Sequence, residues 1–127
     1  NTLQDQGEKV FYQACLEGIA FTEAMVFDLI RSLGGTTKGS LFAMGGTTKS
    51  SIGLQIRADV HQKILTIPAN PNSAFGAAIL AAAGYNHQSV AEASMAMVKL
   101  DRHIHPRSKY EDFYKSKYQE FLAFFSK

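Results

Sequence analysis

Two adjacent glycines followed by small hydroxyl residues form the segment of this sequence best suited to hold a ligand. Gly45 and Gly46 come after the apolar run 41–44, and the amphipathic run 51–60 begins soon after them. This order predicts a buried strand, a tight turn and the start of a helix. A glycine backbone lets a ligand approach closely, and the first turn of a helix offers unpaired N–H groups and the positive end of its dipole. The pattern therefore predicts a nucleotide-binding turn.

The same five residue types, GGTTK, also occur at 34–38, eleven positions earlier, and provide an internal comparison. There the glycines follow the long helical run 10–33 instead of an apolar strand, and no amphipathic helix comes after them. Glycine is the usual residue just past a helix end. We therefore expect the first copy to end a helix and begin a loop, and only the second copy to meet the requirements of a ligand site.

Composition indicates a single globular domain. The chain has 127 residues, 46% of them hydrophobic, and a formal net charge of +2 from dispersed basic residues. That charge argues against a nucleic-acid partner. Charged residues interrupt the apolar stretches, so we expect neither a signal peptide nor a membrane span. The single cysteine, Cys15, cannot form an internal disulfide and is expected to be a small core residue; these features fit a reducing cytoplasm.

Hydrophobic periodicity divides the chain into alternating helices and extended segments. Helices are predicted at 6–33, 50–60, 74–84, 89–98 and 108–125, and extended segments at 40–44, 63–67 and 100–105. Ser89 with Glu92 three residues later predicts a capping box. The Ala- and Gly-rich helix 74–84 is expected to pack directly on other backbone. The alternation predicts an α/β fold whose helices pack on a small, largely parallel sheet, with 40–44 and 63–67 as neighbouring strands.

Four short motifs occur in order along the chain. They are ACLEGIAF at 14–21, GGTTKS at 45–50, QIRADV at 55–60 and SAFGAAILA at 73–81. Together they resemble the C-terminal end of the FGGY family of carbohydrate kinases, and the tyrosine spacing near the C-terminus is also similar. The resemblance implies part of an actin-like (ribonuclease H-like) ATPase domain. Residues 1–127 would be the C-terminal portion of the second, ATP-binding domain of a two-domain sugar kinase. The first residue is Asn1 and not Met, so we expect a piece of a longer protein.

The resemblance also implies a function. A full-length family member would use ATP and Mg²⁺ to phosphorylate a sugar or polyol hydroxyl in the cytoplasm, and a homodimer is possible. By position in the family motif, Gly45, Gly46 and Thr47 would line the adenosine pocket, with Ser50 as a polar neighbour. The family's Asp base and phosphate loops lie upstream, so no catalytic residue or metal ligand is assigned here. The sugar would be bound mainly outside this chain, which we expect to be inactive alone.

The chain departs from the family pattern at two positions. Thr47 stands where the family has a third glycine, and Pro71 stands where it often has Glu. Two alternatives stay open: an actin-like nucleotide-binding module with a regulatory or structural role and no phosphotransfer, and, given these two departures, a relative that no longer binds nucleotide. Lys49 lies beside the turn, but the spacing G-x-x-x-x-G-K-(S/T) is absent, so it is not expected to anchor phosphate.

Other polar residues are expected to have structural roles. Asp59 is predicted to form a salt bridge or a cap, and His61 to lie at a helix end, where a cation is favourable. His103 and His105 alternate and lack a third ligand, so we expect a surface pair and no metal site. Glu17, within an apolar helix, could be a buried partner or a solvent-facing residue.

Overall fold

The structure is a computed structural model that describes residues 2–86 and 89–125, with side chains from residue 6 onward. Its helices are α1 (Thr2–Ser32), α2 (Ser51–His61), α3 (Ser73–Tyr85), α4 (Val90–Met97) and α5 (Glu111–Phe125). Its strands are β1 (Leu41–Phe42), β2 (Leu65–Pro68) and β3 (Leu100–Ile104). Short 3₁₀ turns at Gly46–Lys49 and Ser108–Tyr110 precede α2 and α5. The predicted α/β class is confirmed.

The three strands form one mixed sheet in the order β1-β2-β3. β1 and β2 are parallel, with Leu41 opposite Leu65, which confirms the predicted neighbours. β3 pairs antiparallel with β2, with His103 opposite Thr66. Between β1 and β2, helix α2 returns the chain to the end of the sheet where β1 began, as two parallel strands require. β1 is shorter than the predicted segment 40–44, although just past its end the Ala43 N–H still donates to the Thr66 carbonyl of β2 (3.0 Å).

Two groups of buried side chains lie on either side of α2. One group packs between α2 and the sheet: Ala43, Leu54, Ala58, Leu65 and Ile67. The other packs between α2, α1 and α5: Ala20, Phe21, Ile56 and Tyr114. α2 is therefore the central helix of the chain, and its N-terminus is held firmly beside the end of β1.

Hydrogen bonds between α5 and α1 answer the question left open for Glu17. The Tyr114 hydroxyl donates to Glu17 Oε1 (3.3 Å), and the Tyr118 hydroxyl donates to Asp28 Oδ2 (2.5 Å). Burial, and then the Glu17 carboxylate, raise the pKa of Tyr114 to about 12. Glu17 is thus a half-buried partner of the C-terminal helix.

The first half of α1 corrects the expectation for Cys15. Cys15 is exposed, and so are Val10 (69%) and Phe11 (72%), because the core packing of α1 against α2 and α5 begins at Leu16. The segment Gln6–Ser32 is also long and apolar enough to cross a membrane, contrary to the sequence expectation. Length and composition are weak grounds, however, since a helix of a globular domain passes the same test.

The expected tight packing of α3 is absent. Among its residues only Ala83 is buried, and a Cβ added at Gly76 would meet nothing within 4 Å. A larger side chain at Gly76 would therefore have room in this chain. α3 packs mainly on α4, and most of its small residues are exposed.

Candidate functional site

The second GGTTK copy forms a sharp turn between β1 and α2. Gly45 has φ +80° and ψ −166°, a conformation that L side chains rarely adopt. Gly46 then begins a 3₁₀ turn that ends at Lys49, and α2 starts at Ser51. The predicted order of strand, glycine turn and helix is therefore present, with one 3₁₀ turn between the glycines and the helix. The glycines alone did not signal that extra turn.

Hydrogen bonds fix this turn from three directions. The Gly45 N–H donates to the Pro71 carbonyl oxygen (2.5 Å), and the Gly45 carbonyl accepts from Thr48 Oγ1 (2.7 Å). From β3, Arg102 Nη2 donates to the Thr48 carbonyl (3.4 Å). Pro71 supports the turn through its backbone, so the missing family glutamate is not needed for this contact. The turn is thus held in one conformation by the fold itself.

Ser50 caps α2. Its Oγ accepts a hydrogen bond from the Gly53 N–H (3.1 Å), which satisfies one of the unpaired donors of the first helical turn. A serine hydroxyl both donates and accepts, so its hydrogen remains for another partner. A Cβ at Gly53 would lie 3.4 Å from Leu16 Cδ2 and 3.2 Å from Ser50 Oγ. Gly53 therefore lets α1 cross close to the start of α2.

A cavity of about 260 Å³ opens beside the turn, between α1 and the start of α2. Three of the predicted residues line it, namely Gly46, Thr47 and Ser50, whereas Gly45 lies outside the lining. A Cβ added at Gly46 would meet nothing within 4 Å, and Gly46 does not have a positive φ. The fold itself therefore does not require glycine there. Its lack of a side chain keeps one wall of the cavity open.

The opposite wall consists of residues that the sequence analysis did not assign to a site. They are Tyr12, Leu16 and Ile19 of α1, and Gly53 and Arg57 of α2. Leu16 and Ile19 belong to the motif at 14–21, and Arg57 to the motif at 55–60. Their position in these motifs was the signal that could have identified them as site residues. Apolar side chains beside an open glycine backbone form a slot suited to a flat, weakly polar group.

Arg57, which lines the slot, belongs to a charged cluster. Glu23 Oε2 accepts from Arg57 Nε (2.8 Å) and lies 3.3 Å from His61 Nε2, and both of those side chains are mostly buried. Burial by itself would raise the pKa of Glu23, but the hydrogen bonds to His61 and Arg57 hold that pKa below its ordinary value of 4.5. The Arg57 charge is therefore balanced by Glu23. His61 does end α2, as expected.

Asp59 occupies the salt bridge predicted for it. Its side chain is fully buried and accepts from the Arg107 backbone N–H (2.7 Å), Arg107 Nη2 (2.6 Å) and Gln55 Nε2 (3.0 Å). A buried carboxylate needs such partners, since leaving it unpaired would be costly. The hydrogen bond that the Arg107 side chain donates to Asp59 raises the pKa of Arg107. Asp59 therefore fastens the segment before α5 to α2 and does not reach the slot.

The described residues do not include a metal site. They contain no cluster of three or more His, Cys, Asp or Glu side chains that could hold a metal ion. His103 lies 3.1 Å from Thr66 Oγ1 across the β2–β3 pair. Lys49 is exposed and does not line the slot. The side chains around the slot thus suit a nucleoside better than a metal–phosphate group, and they do not fit Mg²⁺.

Comparison with known proteins agrees with this geometry. The family model for the FGGY family of carbohydrate kinases, C-terminal domain, matches residues 2–85, which is more than half of the chain and includes the slot's lining residues. A human FGGY carbohydrate kinase domain-containing protein is 30% identical over 115 residues, covering 89% of this chain and 21% of the relative. A xylulose kinase of Staphylococcus epidermidis is 29% identical over 119 residues, covering 91% of this chain and 23% of the relative.

Solved structures show the same relationship. The xylulose kinase from Rhodospirillum rubrum superposes with a TM-score of 0.69 at 29% identity, covering 87% of this chain and 23% of that one. The xyloylose kinase from Brucella ovis superposes with a TM-score of 0.77 at 27% identity, covering 91% and 24%. The chain therefore spans about a quarter or less of the length of these relatives. From the family match, the shared motifs and the shared fold, we conclude that this chain belongs to the FGGY family of carbohydrate kinases, through their C-terminal domain.

Proposed function

We propose that this chain supplies the adenosine-binding part of an ATP-dependent kinase that phosphorylates a sugar or polyol hydroxyl. The observation that carries the proposal is Gly46, whose missing side chain leaves a slot open although the fold does not demand glycine there. In α/β proteins, ligands bind at the carboxyl ends of parallel strands, and the slot lies just past the end of β1. The adenine ring would lie between the glycine turn and the apolar side chains of α1.

The size of the slot supports a partial site. At about 260 Å³ it falls just below the range of ~300–1,000 Å³ that is usual for small-molecule sites. An adenosine group could fill it, whereas the triphosphate would extend toward parts of the kinase outside this chain. Phosphoryl transfer requires a positioned base and a metal–phosphate clamp. Because the slot holds neither an acidic base nor a metal cluster, we propose that the rest of the kinase supplies both, together with Mg²⁺.

For the acceptor we propose a ketopentose. Two of the relatives reported above are xylulose kinases by name, at 29% identity each. Sugar contacts are expected mainly outside this chain, so this proposal rests on the relatives and not on the slot. A cytoplasmic site of action would follow, because that is where ATP and sugar substrates of such kinases meet.

The proposal is tested by comparing ligands that differ only in their phosphates. The 127-residue chain is titrated with adenosine, AMP and ATP, with binding followed by nuclear magnetic resonance or calorimetry. If the chain holds only the adenosine group, the three dissociation constants should agree within about threefold, a difference of less than 1 kcal/mol. The chain alone, with ATP, Mg²⁺ and D-xylulose, should show no turnover above background.

Two outcomes would contradict this function. In the first, ATP binds far more tightly than adenosine and the Lys49→Ala variant loses that binding. Lys49 would then be a phosphate-binding lysine, and the turn would not be an adenosine site. Absence of saturable binding by any of the three ligands to a folded chain, shown by its circular dichroism and a cooperative melt, would favour a relative that no longer binds nucleotide.

A further inference from the structure

A second cavity lies at the opposite end of the sheet from the glycine turn. Its volume is about 440 Å³, and its lining includes Lys38, Ser40, Lys63, Thr66 and His103. β1 and β2 are parallel, so the segments that precede them meet at one end of the sheet, while the glycine turn follows β1 at the other end. We call this cavity the basic groove. We propose that it binds a small phosphate-bearing anion, independently of the nucleotide slot.

The charges of the basic groove carry this proposal. Its lining contains two lysines and a histidine but no acidic side chain. Elsewhere the cations that line cavities are neutralised, since Arg57 is paired with Glu23 (2.8 Å) and Arg107 with Asp59 (2.6 Å). Neither Lys38 nor Lys63 takes part in any ion pair formed within the described residues 2–86 and 89–125. Two lysine charges therefore share one concave surface without a compensating carboxylate.

The groove is also partly pre-formed. Lys63 is half-buried, and its Nζ donates to the Thr37 carbonyl, which holds the ammonium group against the loop that carries Lys38. An ammonium group has three donors, so this bond leaves two for a ligand. Thr66 is buried, and its Oγ1 lies 3.1 Å from His103 Nδ1. That contact orients the imidazole ring and leaves Nε2 as the ring nitrogen for a further partner.

An acidic residue beside this arrangement, Asp28, is already engaged. Asp28 lines an adjoining cavity together with Lys63. One of its carboxylate oxygens accepts from Arg31, and the other accepts from the Tyr118 hydroxyl (2.5 Å). Both oxygens thus have partners, and the Lys63 charge is left for an external anion.

Phosphate is the anion that this chemistry favours. Lysines recognise phosphate as compact point charges, and hydrogen bonds from charged donors are about twice as strong as neutral ones. At about 440 Å³ the groove lies inside the usual range of ~300–1,000 Å³, so it has room for a phosphate monoester as well as for a bare ion. Lys38 belongs to the first GGTTK copy, so this inference also gives that copy a use beyond ending α1.

The test is a titration of the 127-residue chain with inorganic phosphate and with glycerol 3-phosphate, against chloride at matched ionic strength. Amide and imidazole resonances are followed by nuclear magnetic resonance. Saturable shifts are expected at Gly39, Ser40, Ile64 and His103. A ligand contact to the organic part would make the monoester bind more tightly than phosphate, whereas equal affinities would identify phosphate alone as the bound group. Either result supports the site.

The repeat supplies a matched control. Lys38→Met and Lys63→Met should each weaken phosphate binding by about tenfold or more, as expected when one charge-assisted hydrogen bond is lost. Lys49→Met removes the equivalent lysine of the second copy and should leave phosphate binding unchanged. Gly46→Val, which blocks the nucleotide slot, should also leave it unchanged, so this site and the proposed function can fail separately. Shifts that do not saturate, or equal losses in the Lys38 and Lys49 variants, would overturn the proposal.

Discussion

The two GGTTK segments have the same sequence, but the fold requires different numbers of their glycines. In the first copy, Gly34 has φ +85° and donates to the Arg31 carbonyl (3.0 Å), and Gly35 donates to the Ile30 carbonyl (2.9 Å). A Cβ at Gly35 would lie 2.6 Å from Ile30 Cγ2 and 2.9 Å from the Ile30 carbonyl oxygen. Both glycines of the first copy are therefore required by the way α1 ends.

In the second copy only one glycine is required by the backbone. Gly45 has φ +80°, whereas Gly46 has no positive φ and open space at its Cβ position. The difference teaches that a repeated motif acquires its role from what precedes it, a helix end in one case and a strand end in the other. Gly46 therefore differs from the other three glycines of the two copies, since neither its backbone conformation nor its neighbours require glycine.

The largest expected effect tests this contrast through stability. Gly35→Ala should lower the free energy of unfolding by about 1–3 kcal/mol, because the new methyl group overlaps the end of α1. Gly46→Ala should change it by no more than about 0.5 kcal/mol, since its Cβ enters open space. Urea unfolding of the two variants measures both values. Equal losses would show that the second copy is as constrained as the first.

The next effect concerns ligand binding at the second copy. Gly46→Val should weaken adenosine binding by about tenfold or more, equivalent to 1.4 kcal/mol, because the side chain fills the slot. Lys49→Ala should change adenosine binding much less, as Lys49 does not line the slot. Calorimetric titration of both variants gives the comparison. If Gly46→Val leaves adenosine binding unchanged while Lys49→Ala abolishes it, the nucleotide does not bind in the slot.

The third effect is a dependence of stability on pH, and it tests the ion pairs near the second copy. The folded-state pKa of Glu23 is below 4.5, so its bonds to Arg57 and His61 contribute stability that is fully present above about pH 4.5. That contribution fades as the pH falls below 4.5 toward the folded pKa. Glu23→Gln should therefore be less stable than wild type at pH 7, and the difference should shrink below pH 4.5. A pH-independent difference between the two unfolding curves would count against the ion pairs at the slot.

The smallest expected effect tests the departure at Thr47. Thr47→Gly restores the family's third glycine and removes a side chain from the slot wall. We expect adenosine binding to tighten by a few-fold at most, with a loss of stability of up to about 1 kcal/mol from the added backbone freedom. Titration and thermal melting measure the two quantities. Weaker binding in this variant would mean that the threonine contacts the nucleotide favourably.

Local signals in the sequence were enough to predict most of the elements. The order of helices and strands, the parallel pairing of β1 with β2 and the capping box at Ser89 and Glu92 are all confirmed. So is the different setting of the two GGTTK copies. The elements and the capping box depend on residues close together in the chain, where periodicity and cap chemistry act directly, whereas the β1–β2 pairing followed from the alternation of strands and helices.

What the sequence by itself determined was thus the family, the elements and the turn at Gly45–Gly46. The tertiary structure decided that Gly46 lines a slot and Gly45 does not, that Arg57 is neutralised by Glu23, and that Cys15 is exposed. It also left one face of α3 without a packing partner in the described chain. The physical reason is that periodicity shows which face of an element is apolar, whereas burial and ion pairing depend on which distant element reaches that face.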